Sequence, residues 1–378
     1  VLYLIENGEV YTPEPAGVTS LLLINDRIVK IGDIDHSALA SLGLEYEVID
    51  ASGCYVVPGF IDPHEHLIGA GGEHGFTTRM PEISFEQLAC SGMTTVVGLL
   101  GTDTTTRHLA CLHAKVKQLK NEGLTAYLYT GGFEIPPSTF LTRLTDDLVM
   151  IDEVIGTGEI AISDYRYVDP PEYELARVVT ETMLGGMMSG KAGVTHFHTG
   201  EGKTRLSILH AMLDNHGVPP EYIYPTHITR TPELMDDAIA LAKRGCFVDT
   251  DTVEGNLADC LEQYRERGGP LDKLTVSSDA HTPGGSPEKH FSQFVDCVRE
   301  RRLPMEMVLR CFTQTPSEAL KLPAKGRLEA GKEADVLLLQ KDSLDIIGVF
   351  ARGQQIVKDG TLAHISQQSQ QVEESKQA

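Results

Sequence analysis

By its pattern of hydrophobic and polar positions, the chain divides into three kinds of stretch. Residues 1 to 57 form short apolar runs broken by turn residues: LYLIENGEVYTP, SLLLINDRIVKIGD and EYEVIDASGCYVVP. Breaks at Asn7-Gly8 and Asn25-Asp26 predict hairpins between β-strands. The far end returns to this style in GRLEAGKEADVLLLQ and in IIGVFARGQQIVKDG, Ile346 to Gly360. Two β-rich ends around a different middle predict one small β-sandwich domain built from residues 1–57 and 321–365. The closing SQQSQQVEESKQA is polar and lacks aromatic residues, which predicts a disordered tail over 366–378.

The middle alternates between two periods. Strand-like apolar runs recur at Val56–His66, Thr94–Leu100, Ala126–Gly131, Glu159–Asp164, Val194–Thr199, Ile223–Ile228, Cys246–Asp251 and Leu274–Asp279. Helix-like segments lie between them, among them those that begin at Arg107 and at Pro232. Eight strands alternating with helices predict a (β/α)8 TIM barrel over residues 58–320. A doubly wound open sheet is the alternative, but no G-x-G-x-x-G follows an early strand. In such barrels chemistry gathers at the C-terminal ends of the strands.

Composition narrows the possible partners. The 378 residues are 41% hydrophobic and carry a formal charge of −22. No apolar run approaches the ~18 residues of a membrane span, so no membrane is expected. The negative charge argues against nucleic acid, and an anionic substrate would need local arginines. Seven cysteines without a C-x-x-C fit buried thiols in a reduced, cytoplasmic protein. The start, VLYLIENGEVY, has no basic region and does not read as a signal peptide.

The chemistry-bearing residues stand at the predicted strand ends. His64 and His66 end the first strand, and an H-x-H pair there projects both imidazoles to one side. The fourth strand contains Glu159 and is followed by Asp164 and Arg166. The fifth, VTHFHTGE, carries His196 and His198; the sixth, YPTHITR, carries His227 and Arg230; the eighth, TVSSDAHTPGGS, carries Asp279. His196 lies deeper on the same face as His198 and is expected to hydrogen-bond a ligand. His281 is expected in a loop or gate.

This order resembles the metal-dependent amidohydrolase superfamily: H-x-H on strand one, Lys or Glu on strand four, His on five and six, Asp on eight. PGFIDPHEHLIGAGGEHGFTTRMPE, VVGLLGTD, AISDYR, FHTGE, YPTHITR and SSD together resemble bacterial isoaspartyl dipeptidases. The resemblance implies zinc, two ions per subunit, held by His64, His66, Glu159, His198, His227 and Asp279. It implies that Glu73, with Thr102 nearby, meets the free α-amino group of a β-aspartyl dipeptide, and that Arg166 and Arg230 hold the leaving residue's carboxylate. Asp279 would shuttle the proton from a metal-bound hydroxide to the departing amine. A homo-oligomer is implied as well.

The pattern departs from the family at three places. Glu159 stands where the family has a carboxylated, metal-bridging lysine, and it is shorter, so a single metal is the alternative. Phe133 stands where the family has a carbonyl-polarising tyrosine. The serine that contacts the leaving group is either Ser286 or replaced by Thr282. Other readings are hydrolysis of another small amide (an N-acyl amino acid or a cyclic amide), a mononuclear deaminase-like enzyme, or a non-catalytic scaffold on the same fold.

Overall fold

A computed structural model of the chain describes residues 2–41, 43 and 45–363. The expected tail at 366–378 lies outside the described residues. Both ends of the chain enter one nine-stranded sheet. Leu2–Tyr11, Pro15–Ile24, Arg27–Ile31, Glu47–Asp50 and Cys54–Pro58 come from the N-terminal side. Val336–Gln340, Ile346–Ala351, Gln354–Lys358 and Thr361–Leu362 come from the C-terminal side. The two groups join where Cys54–Pro58 runs antiparallel to Val336–Gln340, with Val56 opposite Leu338. Ile5, Val10, Leu21, Leu23, Val56, Val336, Leu338 and Phe350 form its apolar core.

One expected hairpin is a different device. Asn25-Asp26 does turn the chain between Ile24 and Arg27. Asn7-Gly8 instead lies inside a continuous strand, at a register shift between Ile5 and Gly8. A Cβ on Gly8 would lie 2.3 Å from Val56 Cγ2, so glycine permits a close approach there, beside Asn7 in the left-handed region.

The run Val56–His66 serves both sheets. It leaves the terminal sheet at Pro58 and enters the parallel sheet at Phe60, with Gly59 between them packed onto Thr94. The parallel strands are β1 (Phe60–Glu65), β2 (Met93–Gly98), β3 (Thr125–Thr130), β4 (Val154–Ile162), β5 (Val194–Thr199), β6 (Ile223–Thr226), β7 (Val248–Asp251) and β8 (Leu274–Ser277). β1 to β6 pair in chain order, and β7 pairs with β8. Backbone bonds span both gaps: Ile228 N donates to Asp249 O at 3.3 Å, and Asp279 N to His64 O at 3.2 Å. β4 starts five residues before the expected Glu159, because Gly156 and Gly158 dilute its apolar signal. Those glycines admit the neighbouring strand: a Cβ on Gly156 would sit 2.5 Å from Val194 O.

Helices alternate with these strands, each burying one stripe. Leu109–Glu122 buries Leu109, Leu112, Val116 and Leu119, spaced three and four apart. Their starts carry local signals: Ser84 and Gln87 form a capping box, and Thr231 caps Pro232–Lys243 with Pro232 in the first turn. Among the described residues no helix is long and apolar enough to cross a membrane.

Candidate metal centre

The C-terminal ends of β1, β4, β5, β6 and β8 converge on one buried cluster. His64 is the penultimate residue of β1 with His66 just beyond its end, Glu159 lies in β4 and His198 in β5. His227 and Asp279 follow the ends of β6 and β8, each with a left-handed backbone (φ 63° and 48°) that breaks the strand there. Asp279 Oδ1 is 3.2 Å from both His64 Nε2 and His66 Nε2. Glu159 is central: its Oε1 is 3.5 Å from His66 Nε2, and its Oε2 is 3.2, 3.7 and 3.8 Å from His198 Nδ1, His64 Nε2 and His227 Nε2.

These spacings and donors fit divalent cations. Two ligands about 2.1 Å from a tetrahedral ion sit about 3.4 Å apart, close to the separations in this cluster. His64, His66 and Asp279 form one possible ligand group, and His64, Glu159 and His227 another. His198 stands beside the second group through Glu159. His64 Nε2 and Asp279 Oδ1 are buried without a hydrogen-bond partner, an incompleteness that a cation would relieve. Imidazole and carboxylate donors suit zinc and similar metals.

Electrostatics points the same way. Burial alone would raise the Glu159 carboxyl, but the imidazoles of His64 and His198 outweigh it and hold it well below the usual range. Asp279 is likewise held down against burial, by His64 and His66. Burial and Arg230 would lower His227, but Asp251 and Glu159 raise it to about 10. The cluster therefore favours added positive charge.

Three neighbours orient the histidines. Asp164 Oδ2 lies 3.0 Å from His198 Nε2, leaving Nδ1 toward Glu159. Asp251 Oδ2 lies 2.7 Å from His227 Nδ1, leaving Nε2 toward the centre. His196 Nε2 meets His64 Nδ1 at 2.8 Å. The last was expected from sequence; the roles of Asp164 and Asp251 were not. For Asp251 a signal existed, since Asp249 and Asp251 alternate onto one face of β7 at its end.

The cluster floors an open cleft. Glu73, Thr102, Phe133, Arg166, Arg230 and Thr282 line it. Glu73 accepts from Thr102 Oγ1 at 2.9 Å and stands 3.6 Å from Arg166 Nη1. Arg166 is gripped by Asp164 at 2.7 and 2.9 Å, and its guanidinium lies 5.0 Å above the Phe133 ring. Arg230 donates to Thr199 O at 2.6 Å. Phe133 packs on His198 at 4.5 Å and brings no hydroxyl. Ser286 is not brought to the lining: its hydroxyl caps the helix Pro287–Val295 through Lys289 N, while Thr282 takes the place at the cleft. His281 turns toward Pro81 O and Gln87.

The Amidohydrolase family profile matches residues 47–99. A crystal structure of the β-aspartyl dipeptidase from Fervidobacterium islandicum is 37% identical, with a TM-score of 0.92 over 97% of this chain and 100% of that one. The chain belongs to the amidohydrolase superfamily. As a member it is a hydrolase acting on C–N bonds. Among curated relatives, the dihydroorotase of Syntrophotalea carbinolica is 26% identical over 90% of this chain and 89% of its own length. The D-hydantoinase of Thermus sp. is 17% identical, with a TM-score of 0.66, and shares the fold. Such fold neighbours imply a TIM barrel with a second domain for this amidohydrolase.

Proposed function

We propose that this amidohydrolase cleaves β-aspartyl (isoaspartyl) dipeptides. The observation that carries the reading is the pairing at the cleft: an acidic Glu73–Thr102 corner meets Arg166 and Arg230 beside the histidine–carboxylate cluster. A zwitterionic dipeptide answers both ends, with its ammonium on Glu73 and its terminal carboxylate on the arginines. The 37% identity to a β-aspartyl dipeptidase supports the same substrate class.

Two zinc ions, held by His64, His66, Glu159, His198, His227 and Asp279, would ionise water near neutral pH and polarise the scissile carbonyl. The chain's own residues do the rest. Glu73, Arg166 and Arg230 fix the peptide between two charged anchors, which lowers the entropy of reaching the transition state. Asp279, ionised and at the cleft floor, accepts the proton of the attacking water and delivers it to the departing amine. Asp164 and Asp251 keep His198 and His227 in one tautomer each. Elemental analysis should give near two metals per chain, falling in Glu159→Gln. One metal, unaffected by that change, would replace the two-ion reading with a mononuclear one.

Phe133 favours a second reading, hydrolysis of another small amide, because no hydroxyl at that position meets the scissile carbonyl. Steady-state rates on β-Asp-Leu, an N-acyl amino acid and a dihydropyrimidine ring separate the two. The expected result is the highest kcat/KM for β-Asp-Leu. No turnover of β-Asp-Leu alongside turnover of the ring would overturn the first reading.

A further inference from the structure

Arg107 lies outside the cleft, yet it uses its whole guanidinium on the loop that forms one wall of it. The side chain is buried, at 5% exposure. Nε donates to Ile68 O at 3.3 Å, one Nη to Gly71 O at 3.3 Å and to Asp103 at 3.1 Å, and the other Nη to Ala70 O at 2.7 Å and Met80 O at 3.3 Å. These five bonds match the five N–H donors of an arginine. Four of the acceptors are carbonyls from the two limbs of the loop that follows β1, and the fifth is the carboxylate that balances the buried charge.

That loop is a tight hairpin. Met80 N donates to Ala70 O at 2.8 Å, and Gly71 bridges Arg79. Gly69 has φ 74°, and a Cβ on it would meet Met80 O at 2.2 Å, so the limbs close only around glycine. Glu73 stands at the tip, and its partner Thr102 comes from the segment after β2 that also supplies Asp103 and Arg107. The Glu73–Thr102 corner thus spans two loops that Arg107 fastens together.

We infer that Arg107 is the positioning residue for recognition of the substrate's ammonium group: it holds the loop of Glu73 against that of Thr102, so selection for a free α-amine depends on it. This rests on the reading that Glu73 receives the ammonium. It separates Arg107 from residues that merely support the fold, because only one part of the substrate should feel its loss.

The test compares β-Asp-Leu with N-acetyl-β-Asp-Leu, which lacks the ammonium, on the metal-loaded enzyme. In Arg107→Lys and Arg107→Gln the preference for the free amine should fall about tenfold or more. The loss should sit in KM for β-Asp-Leu, with kcat and the acetylated substrate changing less than about threefold. Asp103→Asn, a half-buried change, should move the same ratio in the same direction by about threefold, and it gives the reading should the arginine variants not fold. Equal losses on both substrates, or a preference that survives in all variants, would overturn the inference. A wild-type enzyme that cleaves both substrates equally would overturn the Glu73 assignment, and this inference with it.

Discussion

Two buried ion clusters in this chain are built on opposite rules. Near the terminal sheet, Lys325 is buried with Nζ 2.5 Å from Asp335 and 2.7 Å from Glu333, while the other oxygen of Asp335 accepts from Arg352 N at 2.8 Å. That charge is neutralised and its bonds are made. At the strand ends, His64 Nε2 and Asp279 Oδ1 are equally buried but lack hydrogen-bond partners, and Glu159 lies within 4 Å of four imidazoles without belonging to any one of them. The finished cluster stabilises the fold. The unfinished one costs stability until something completes it, which is the mark of a site.

The largest expected effect tests the unfinished side. Asp279→Asn should lower kcat about 10³-fold or more with metal still bound, because the proton carrier is lost. Near-normal kcat would remove Asp279 from that role and erase the contrast. Next comes the finished side. Lys325→Met leaves Asp335 and Glu333 without their cation and should cost about 3–5 kcal/mol of stability, read as a lower unfolding midpoint, with kcat unchanged. A milder expectation sharpens the substrate anchor: Arg230→Met should raise KM for dipeptides about 10–100-fold with little change in kcat. An unchanged KM would place the carboxylate elsewhere.

How much of this was legible in the sequence depends on whether a feature is periodic or spatial. The alternation of strands and helices, and the H-x-H at His64 and His66, follow from a period of two and could be read directly. Asn7-Gly8 misled because the dipeptide that makes hairpin turns also makes bulges; what sets its use is the closeness of Val56, a contact 48 residues away. β4 was trimmed at Glu159 because glycines required by a neighbouring strand carry no apolar signal. Ser286 and Thr282 were both candidates for the hydroxyl at the leaving group; in S-P-E-K the Ser286 hydroxyl caps the following helix, and Thr282 lines the cleft. Asp164, Asp251 and Arg107 act through partners on other loops, and one-dimensional spacing does not encode such partners. Glu159 was expected among the ligands from its place on the fourth strand; what spacing could not give is its distance, within 4 Å, from four imidazoles.

The smallest effect extends the comparison to a half-finished case. Glu153, which precedes β4, bonds Lys120 at 2.6 Å and His113 at 3.0 Å on the helix Leu109–Glu122. Burial would raise its carboxyl, but Lys120 and His113 hold it at about 2. The folded value lies below the unfolded one, so Glu153 adds stability above about pH 4.5, and that contribution fades as pH falls toward 2. Solvent contact limits it to about 1–2 kcal/mol. Glu153→Gln should therefore lower the unfolding midpoint at pH 7, and the gap from wild type should close between about pH 4.5 and 2. A gap that stays constant through that range would mean that the pair acts by packing rather than by charge, and buried charge in this fold would then sort by shape alone.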